Sequence, residues 1–226
     1  MRSYISPDSA VKHLQPEQPV VLFRPHALKR AAGMFLSQFR GRVLYAVKTN
    51  PDEHVLKGLW EAGVRQFDVA SLHEVAMVRG LLPEAELYFM HTVKSRHAIR
   101  EAYFTYGVRH FSLDCEEELD KILTETARDG VHATDLSLFV RLSLPNHSAQ
   151  LGLTGKFGAA LAEAPALLVR TRKAAAKLGV CFHVGSQCMD PEAYRVALKM
   201  VQGVLLMAGV DIDVLDVGGG FPSVYP

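Results

Sequence analysis

The stretch Tyr45-Ala46-Val47-Lys48-Thr49-Asn50-Pro51 decides how the rest of the chain is read. An apolar, largely β-branched run from Val43 to Val47 predicts a buried strand, and Asn50-Pro51 breaks it immediately after one lysine. A lysine carried at the mouth of a core loses hydration, which favours its free amine and makes it a usable nucleophile, the role of a Schiff-base lysine. The same position also suits a lysine that reaches back to water from a strand end. The choice between them depends on what the other strands bring to the same mouth.

With 226 residues, 49% of them hydrophobic, the chain can bury one sizeable core, as one large domain or two small ones. A net charge of +1 gives no reason to invoke nucleic acid or an anionic membrane. No apolar run approaches the roughly 18 residues that span a bilayer, and the N-terminus lacks the plan of a signal peptide, so a cytoplasmic protein is expected. Cys115, Cys181 and Cys188 show no CxxC spacing and the ten histidines no HExxH, so neither a disulfide frame nor a metal site is expected.

Residues 1–18 are polar and read as a loose leader, Pro19 to Phe23 as a short strand, and Pro25 to Phe39 as a helix with Leu28, Ala31, Ala32, Phe35 and Leu36 on one face. From Arg42 a unit repeats. The expected strands are 43–47, 66–70, 86–90, 110–114, 136–142, 180–184 and 214–217. Helices are expected over 52–62, 73–79, 95–104, 116–128, 165–178 and 191–208, with Gly63, Gly80, Gly179 and Gly209 as left-handed caps. Ser71 with Glu74 has capping-box spacing, and Asp190 precedes a first-turn proline.

Strand then helix in repetition predicts βα units on a parallel sheet. With no GxGxxG in the first unit, a (β/α)8 TIM-like barrel is the better choice, incomplete at about seven strands because the sequence stops at Pro226. In such a barrel the strand C-termini share one mouth. Here they carry Lys48, Asp68, His91, Asp114, Arg141, His183 with Ser186, and Gly218-Gly219-Gly220.

The glycine triplet follows the seventh strand, where a phosphate site is expected, and three glycines leave a row of backbone N–H groups open to an anion. A plain turn would need fewer. His183 alone would read as a core histidine, and Asp68 with Arg141 as a buried ion pair. Together, a lysine for an imine, a glycine cradle for phosphate and a histidine able to lie on a flat heterocycle describe a pyridoxal phosphate pocket.

At these residues a resemblance appears. Tyr45 to Asn50, Phe67-Asp68-Val69-Ala70-Ser71, Lys156-Phe157-Gly158, Phe182 to Ser186 and Asp216 to Pro222 are similar to successive signatures of the pyridoxal-phosphate-dependent ornithine/diaminopimelate/arginine decarboxylases, of the alanine-racemase-like fold. The Gly-Gly-Gly-Phe-Pro run at 218–222 resembles the ornithine decarboxylase form. The resemblance implies that Lys48 carries pyridoxal phosphate as an imine and that Asp68 sets the protonation of that lysine. It further implies that His183 stacks on the ring, that Ser186 with Gly218, Gly219 and Gly220 holds the phosphate, and that Arg141 lies under the ring on its phenolic side. The implied reaction is decarboxylation of a basic amino acid, L-ornithine to putrescine first.

Lysine, diaminopimelate or arginine as substrate remain alternatives, as does a regulatory or cofactor-binding relative that has lost the chemistry. The family pattern continues past Pro226 with a last barrel strand, a glutamate for the pyridine nitrogen and a C-terminal β-domain that completes a homodimer. Residues 1–24 are therefore expected to be a leader with a strand of that β-domain, and residues 25–226 the cofactor-binding barrel. Residues 1–226 alone are expected to have little or no activity, with two unpaired sheet edges.

Overall fold

The computed structural model describes residues 2–144, 149–151 and 156–223. Eight helices are found among them: α1 (Pro7–Leu14), α2 (Pro25–Gln38), α3 (Glu53–Glu61), α4 (Leu72–Leu81), α5 (Arg96–Phe104), α6 (Glu116–Glu125), α7 (Ala164–Ala174) and α8 (Glu192–Ala208). The strands are β1 (Leu44–Ala46), β2 (Gln66–Val69), β3 (Glu86–Phe89), β4 (His110–Leu113), β5 (Ser137–Arg141), β6 (Ala149–Leu151), β7 (Lys177–Cys181), β8 (Ser186–Cys188) and β9 (Val214–Asp216). Seven of them form one sheet in the order β1-β2-β3-β4-β5-β7-β9, every neighbouring pair parallel. β6 and β8 form a separate antiparallel pair.

Alternation within the strands sorts side chains onto two faces. One face sends Phe67, Val69, Leu87, Phe89, Phe111, Leu138 and Val180 into the main core beneath the helices. The opposite face gathers Tyr88, Met90, Phe139 and Cys181, flanked by Leu44 and Val214, into a second, smaller cluster that fills the lumen. The register places Phe139 beside Gly179, where a Cβ would sit 2.4 Å from the Phe139 ring. Glycine is thus what lets that ring occupy the lumen. The result is an α/β fold of the (β/α)8 type, open between β1 and β9, which each pair on one side only.

Several helix starts follow from local chemistry. Ser71 Oγ accepts the Glu74 N–H at 3.2 Å, as the capping-box spacing predicts, while the Glu74 carboxylate accepts the N–H of Ala70, one residue before the cap, at 2.8 Å. Asp52 caps α3 by accepting the His54 N–H at 2.8 Å. The Asp190 carboxylate likewise accepts the Glu192 N–H at 2.9 Å.

Three expectations are corrected. The polar leader contains α1, capped by Ser6, which accepts from Ser9 N–H at 3.1 Å. Pro19 to Phe23 pairs with no strand among the described residues; Phe23 packs on the main core while Val21 is exposed. Gly80 lies inside α4, and Gly179 inside β7 rather than after a helix, because α7 ends at Ala174 and β7 starts at Lys177. Gly63 and Gly209 do take positive φ at their helix ends, 107° and 63°.

Candidate active site

The chain leaves β1 at Ala46 and curls into a single 3-10 turn, Val47–Thr49, with Val47 fully buried beneath it. The Tyr45 hydroxyl donates to the Asn50 carbonyl at 3.2 Å across that turn, and the Asn50 side chain accepts the Asp52 N–H at 3.1 Å. Lys48 is therefore presented from a pinned turn with its side chain exposed, not desolvated at the end of a buried strand. The apolar run predicts a strand through Val47, but β1 ends at Ala46 and Val47 is buried as the foot of the turn.

Asp68, the third residue of β2, points into the lumen opposite to Phe67 and Val69. Burial pushes its carboxyl up to about 7, Lys48 and Arg141 pull it down, and Asp216 and Glu74 push it up further. Arg141, Cys181 and Asp216 stand at one level across β5, β7 and β9. Burial raises Asp216 too, against the Gly218 N–H that its carboxylate accepts at 2.8 Å and the charge of Arg141. Asp216 was absent from the sequence-derived set, although it ends its strand as Asp68 nearly ends β2. Burial also drives the Cys181 thiol up to about 12, so it is inert packing.

His183 follows β7, and its Nδ1 accepts the Gly185 N–H at 2.8 Å. That bond requires Nδ1 to be bare, so the neutral ring carries its proton on Nε2. Burial, then Arg141 and Lys48, push the imidazole down to about 4. Its Nε2 faces Gly219, where a Cβ would stand 3.4 Å away.

The glycine loop is shaped by close approach. A Cβ on Gly218 would lie 2.1 Å from the Phe182 carbonyl oxygen and one on Gly220 2.2 Å from that of Gly185, and both residues have positive φ, 69° and 98°. The Gly219 carbonyl accepts from the Tyr194 hydroxyl at 2.9 Å, and that of Gly220 from the Cys188 N–H at 2.8 Å. The expected row of three open N–H groups is reduced to two, since Asp216 takes the one on Gly218. Among the described residues the N–H groups of Gly219 and Gly220 and the Ser186 hydroxyl have no hydrogen-bond partner.

Around the other side, the Asp114 carboxylate accepts the Gly158 N–H at 2.9 Å and so holds the Lys156-Phe157-Gly158 turn. The Phe157 ring stands edge-on to His91 at 5.2 Å and under the Arg141 guanidinium at 5.8 Å. No ion pair or side-chain hydrogen bond joins Lys48, Asp68 or Arg141 to an opposite charge among the described residues, so Asp68 and Arg141 are not the buried ion pair that the two residues alone would suggest. Nor is there a group of three histidine, cysteine or acidic side chains that could hold a metal among these residues.

The arrangement offers the exposed Lys48 amine, two open backbone N–H groups with a hydroxyl for a dianion, an uncharged aromatic imidazole and a carboxyl that holds its proton to about pH 7. That donor set fits a phosphorylated aromatic aldehyde, and the fold with this mouth defines a barrel of the pyridoxal-binding class.

The profile of the family described as "Pyridoxal-dependent decarboxylase, pyridoxal binding domain" matches residues 26–226, and the chain belongs to that family. It is 37% identical over 188 residues to the ornithine decarboxylase of Panagrellus redivivus, covering 80% of this chain and 40% of that one. The lysine decarboxylase of Selenomonas ruminantium superposes with a TM-score of 0.81 at 28% identity over 99% of this chain and 58% of its own. The arginine decarboxylase of Paramecium bursaria Chlorella virus, solved with agmatine, gives 0.79 at 28% over 95% and 58%. The chain thus spans roughly half the length of these relatives.

Proposed function

We propose that this chain carries the pyridoxal phosphate site of a decarboxylase of basic amino acids, with L-ornithine as its substrate and putrescine as product. The observation that carries the reading is the meeting of Lys48, Asp68, Arg141 and His183 at one mouth beside the open N–H groups of Gly219 and Gly220. In this reading Lys48 holds the cofactor covalently. Gly219, Gly220 and Ser186 bind its phosphate, with Gly218 giving the loop its close approach. His183 lies against the ring with no charge of its own, its plane set by the Gly185 N–H.

Bound pyridoxal phosphate supplies an electron sink for the bond broken at the substrate α-carbon. Asp68, holding its proton to about pH 7, is placed to exchange it with the Lys48 amine during entry and release. Arg141 keeps positive charge beneath the site and pulls Asp68 and Asp216 back toward ionisation. Ornithine is preferred over lysine and arginine on the Gly-Gly-Gly-Phe-Pro run at 218–222 and the similarity to an ornithine decarboxylase. A cytoplasmic homodimer belongs to the same reading and rests on the resemblance, and no helix among the described residues is long and apolar enough to cross a membrane.

The test is absorbance during titration with pyridoxal phosphate. The protein is expected to develop the long-wave band of a lysine imine, and Lys48→Ala to lack it; an equal band in the variant would overturn the reading. Ornithine, lysine and arginine added in turn to the loaded protein then rank the substrates. Ornithine is expected to change the band at the lowest concentration, and arginine doing so first would move the assignment.

A further inference from the structure

His91 ends the β3 unit at the mouth, yet neither the family signatures nor the reading above gives it a task. Its ring is half-buried, edge-on to Phe157, whose ring also carries the Arg141 guanidinium. Neither ring nitrogen has a hydrogen-bond partner among the described residues. The contrast with His183, whose Nδ1 is already taken by a backbone N–H, is direct.

The segment behind His91 is fixed at unusual cost. Lys94 Nζ is fully buried, donates to the carbonyls of His91 at 2.9 Å, Thr92 at 3.3 Å and Ser112 at 2.6 Å, and pairs with Glu118 at 3.0 Å. Glu118, also buried, accepts the Lys94 backbone N–H at 3.2 Å and pairs with Lys121 at 2.5 Å. A buried ion pair adds little net stability, but it fixes geometry. Here it ties the turn after β3 to β4 and α6, and that turn delivers His91. The charged groups acting on His91 come from several elements, namely Lys94 on its own turn, Arg141 on β5, Lys48 after β1 and Glu118 on α6. Burial and the three cations hold the ring neutral, leaving one donor and one acceptor to offer.

We propose that His91 is a ligand-facing residue of this site, donating from its imidazole to an anionic oxygen of the group bound at Lys48 from the Arg141–Phe157 side, with Lys94 as its positioning residue. The inference rests on the pyridoxal phosphate reading. The oxygen has two sources, the cofactor itself or the carboxylate of the amino acid.

The experiment is a histidine ring nitrogen NMR spectrum of the protein, with His91 and His183 resonances assigned from His91→Asn and His183→Gln. Movement of the His91 resonance with pyridoxal phosphate alone supports the cofactor as source, and movement only after ornithine is added supports the substrate carboxylate. A His91 resonance unmoved in both, while the long-wave band forms and His183 responds, overturns the inference and leaves the cofactor reading standing. No band and no response from either histidine overturns both. His91→Asn is expected to weaken pyridoxal phosphate or ornithine binding about tenfold with an unchanged urea midpoint. A shifted midpoint with unchanged binding would make His91 structural and refute the proposal. Lys94→Met is expected to abolish the His91 response while the Lys48 band persists, which loss of stability alone would not produce.

Discussion

The two ends of the barrel lumen are built from the same alternation and use their polar groups in opposite ways. At the floor, where β2, β3 and β4 begin, Glu86 accepts from Gln66 at 3.2 Å and the Tyr88 hydroxyl at 2.9 Å, and pairs with His110 at 3.0 Å and Arg42 at 3.3 Å. Tyr88 and His110 stack at 4.0 Å, and among the described residues His110 Nδ1 is the buried side-chain atom there without a partner. At the rim, Lys48, Asp68 and Arg141 act on one another electrostatically without an ion pair among the described residues. Polar groups bonded to one another close the floor, while the rim groups, without ion-pair partners among the described residues, stay open to a ligand. This matches the general division of such barrels into a stabilising face and a chemical one.

Substitutions at the two ends should therefore separate binding from stability. Lys48→Ala is expected to remove the pyridoxal phosphate absorbance band entirely while changing unfolding free energy by no more than about 0.5 kcal/mol, the range for exposed positions. Glu118→Leu, under the rim, strands a buried ammonium and is expected to lower stability by about 3–5 kcal/mol in urea titration. Glu86→Ala at the floor is expected to lower it by about 1–2 kcal/mol, since Glu86 is partly exposed, with no change in cofactor affinity. A loss of affinity in Glu86→Ala would dissolve the contrast.

The smallest effect lies in pH dependence. Asp68 has a carboxyl near 7 in the folded chain against about 3.9 unfolded, so the native state binds the proton more tightly. Its contribution is present at low pH and lost as pH rises through that window. His183 behaves oppositely: lowered to about 4 from about 6.5, it contributes above the unfolded value and loses that as pH falls toward 4. Asp68→Asn is expected to flatten the decline between roughly pH 4 and 7 in denaturation midpoints, and His183→Gln to flatten the acid limb.

The parallel βα repeat was legible because short apolar-rich runs alternate with helix signals, and Lys48, Asp68, His91, Asp114, Arg141 and His183 at the mouth because each lies at or within two residues of a strand's C-terminal end. Less visible were features set by neighbours. Gly179 reads as a helix cap until Phe139 is seen to need its missing Cβ. Pro19 to Phe23 has strand-like composition, but pairing is decided by a partner. Asp216 had a signal, two residues before Gly218, that the glycines overshadowed. Lys94 and Glu118 gave none, because a lysine and a glutamate 24 residues apart look like two solvated side chains.

Which amine takes the cofactor is the most direct question. Lys94, lowered by burial to about 8, is the chemical rival of Lys48 but is sealed from solvent. Borohydride reduction of the pyridoxal-phosphate-loaded protein followed by tryptic peptide mass analysis decides between them. The account predicts a pyridoxyl group on Lys48, in the peptide beginning at Val43. A group on Lys94 or on any other lysine, with Lys48 unmodified, would contradict it.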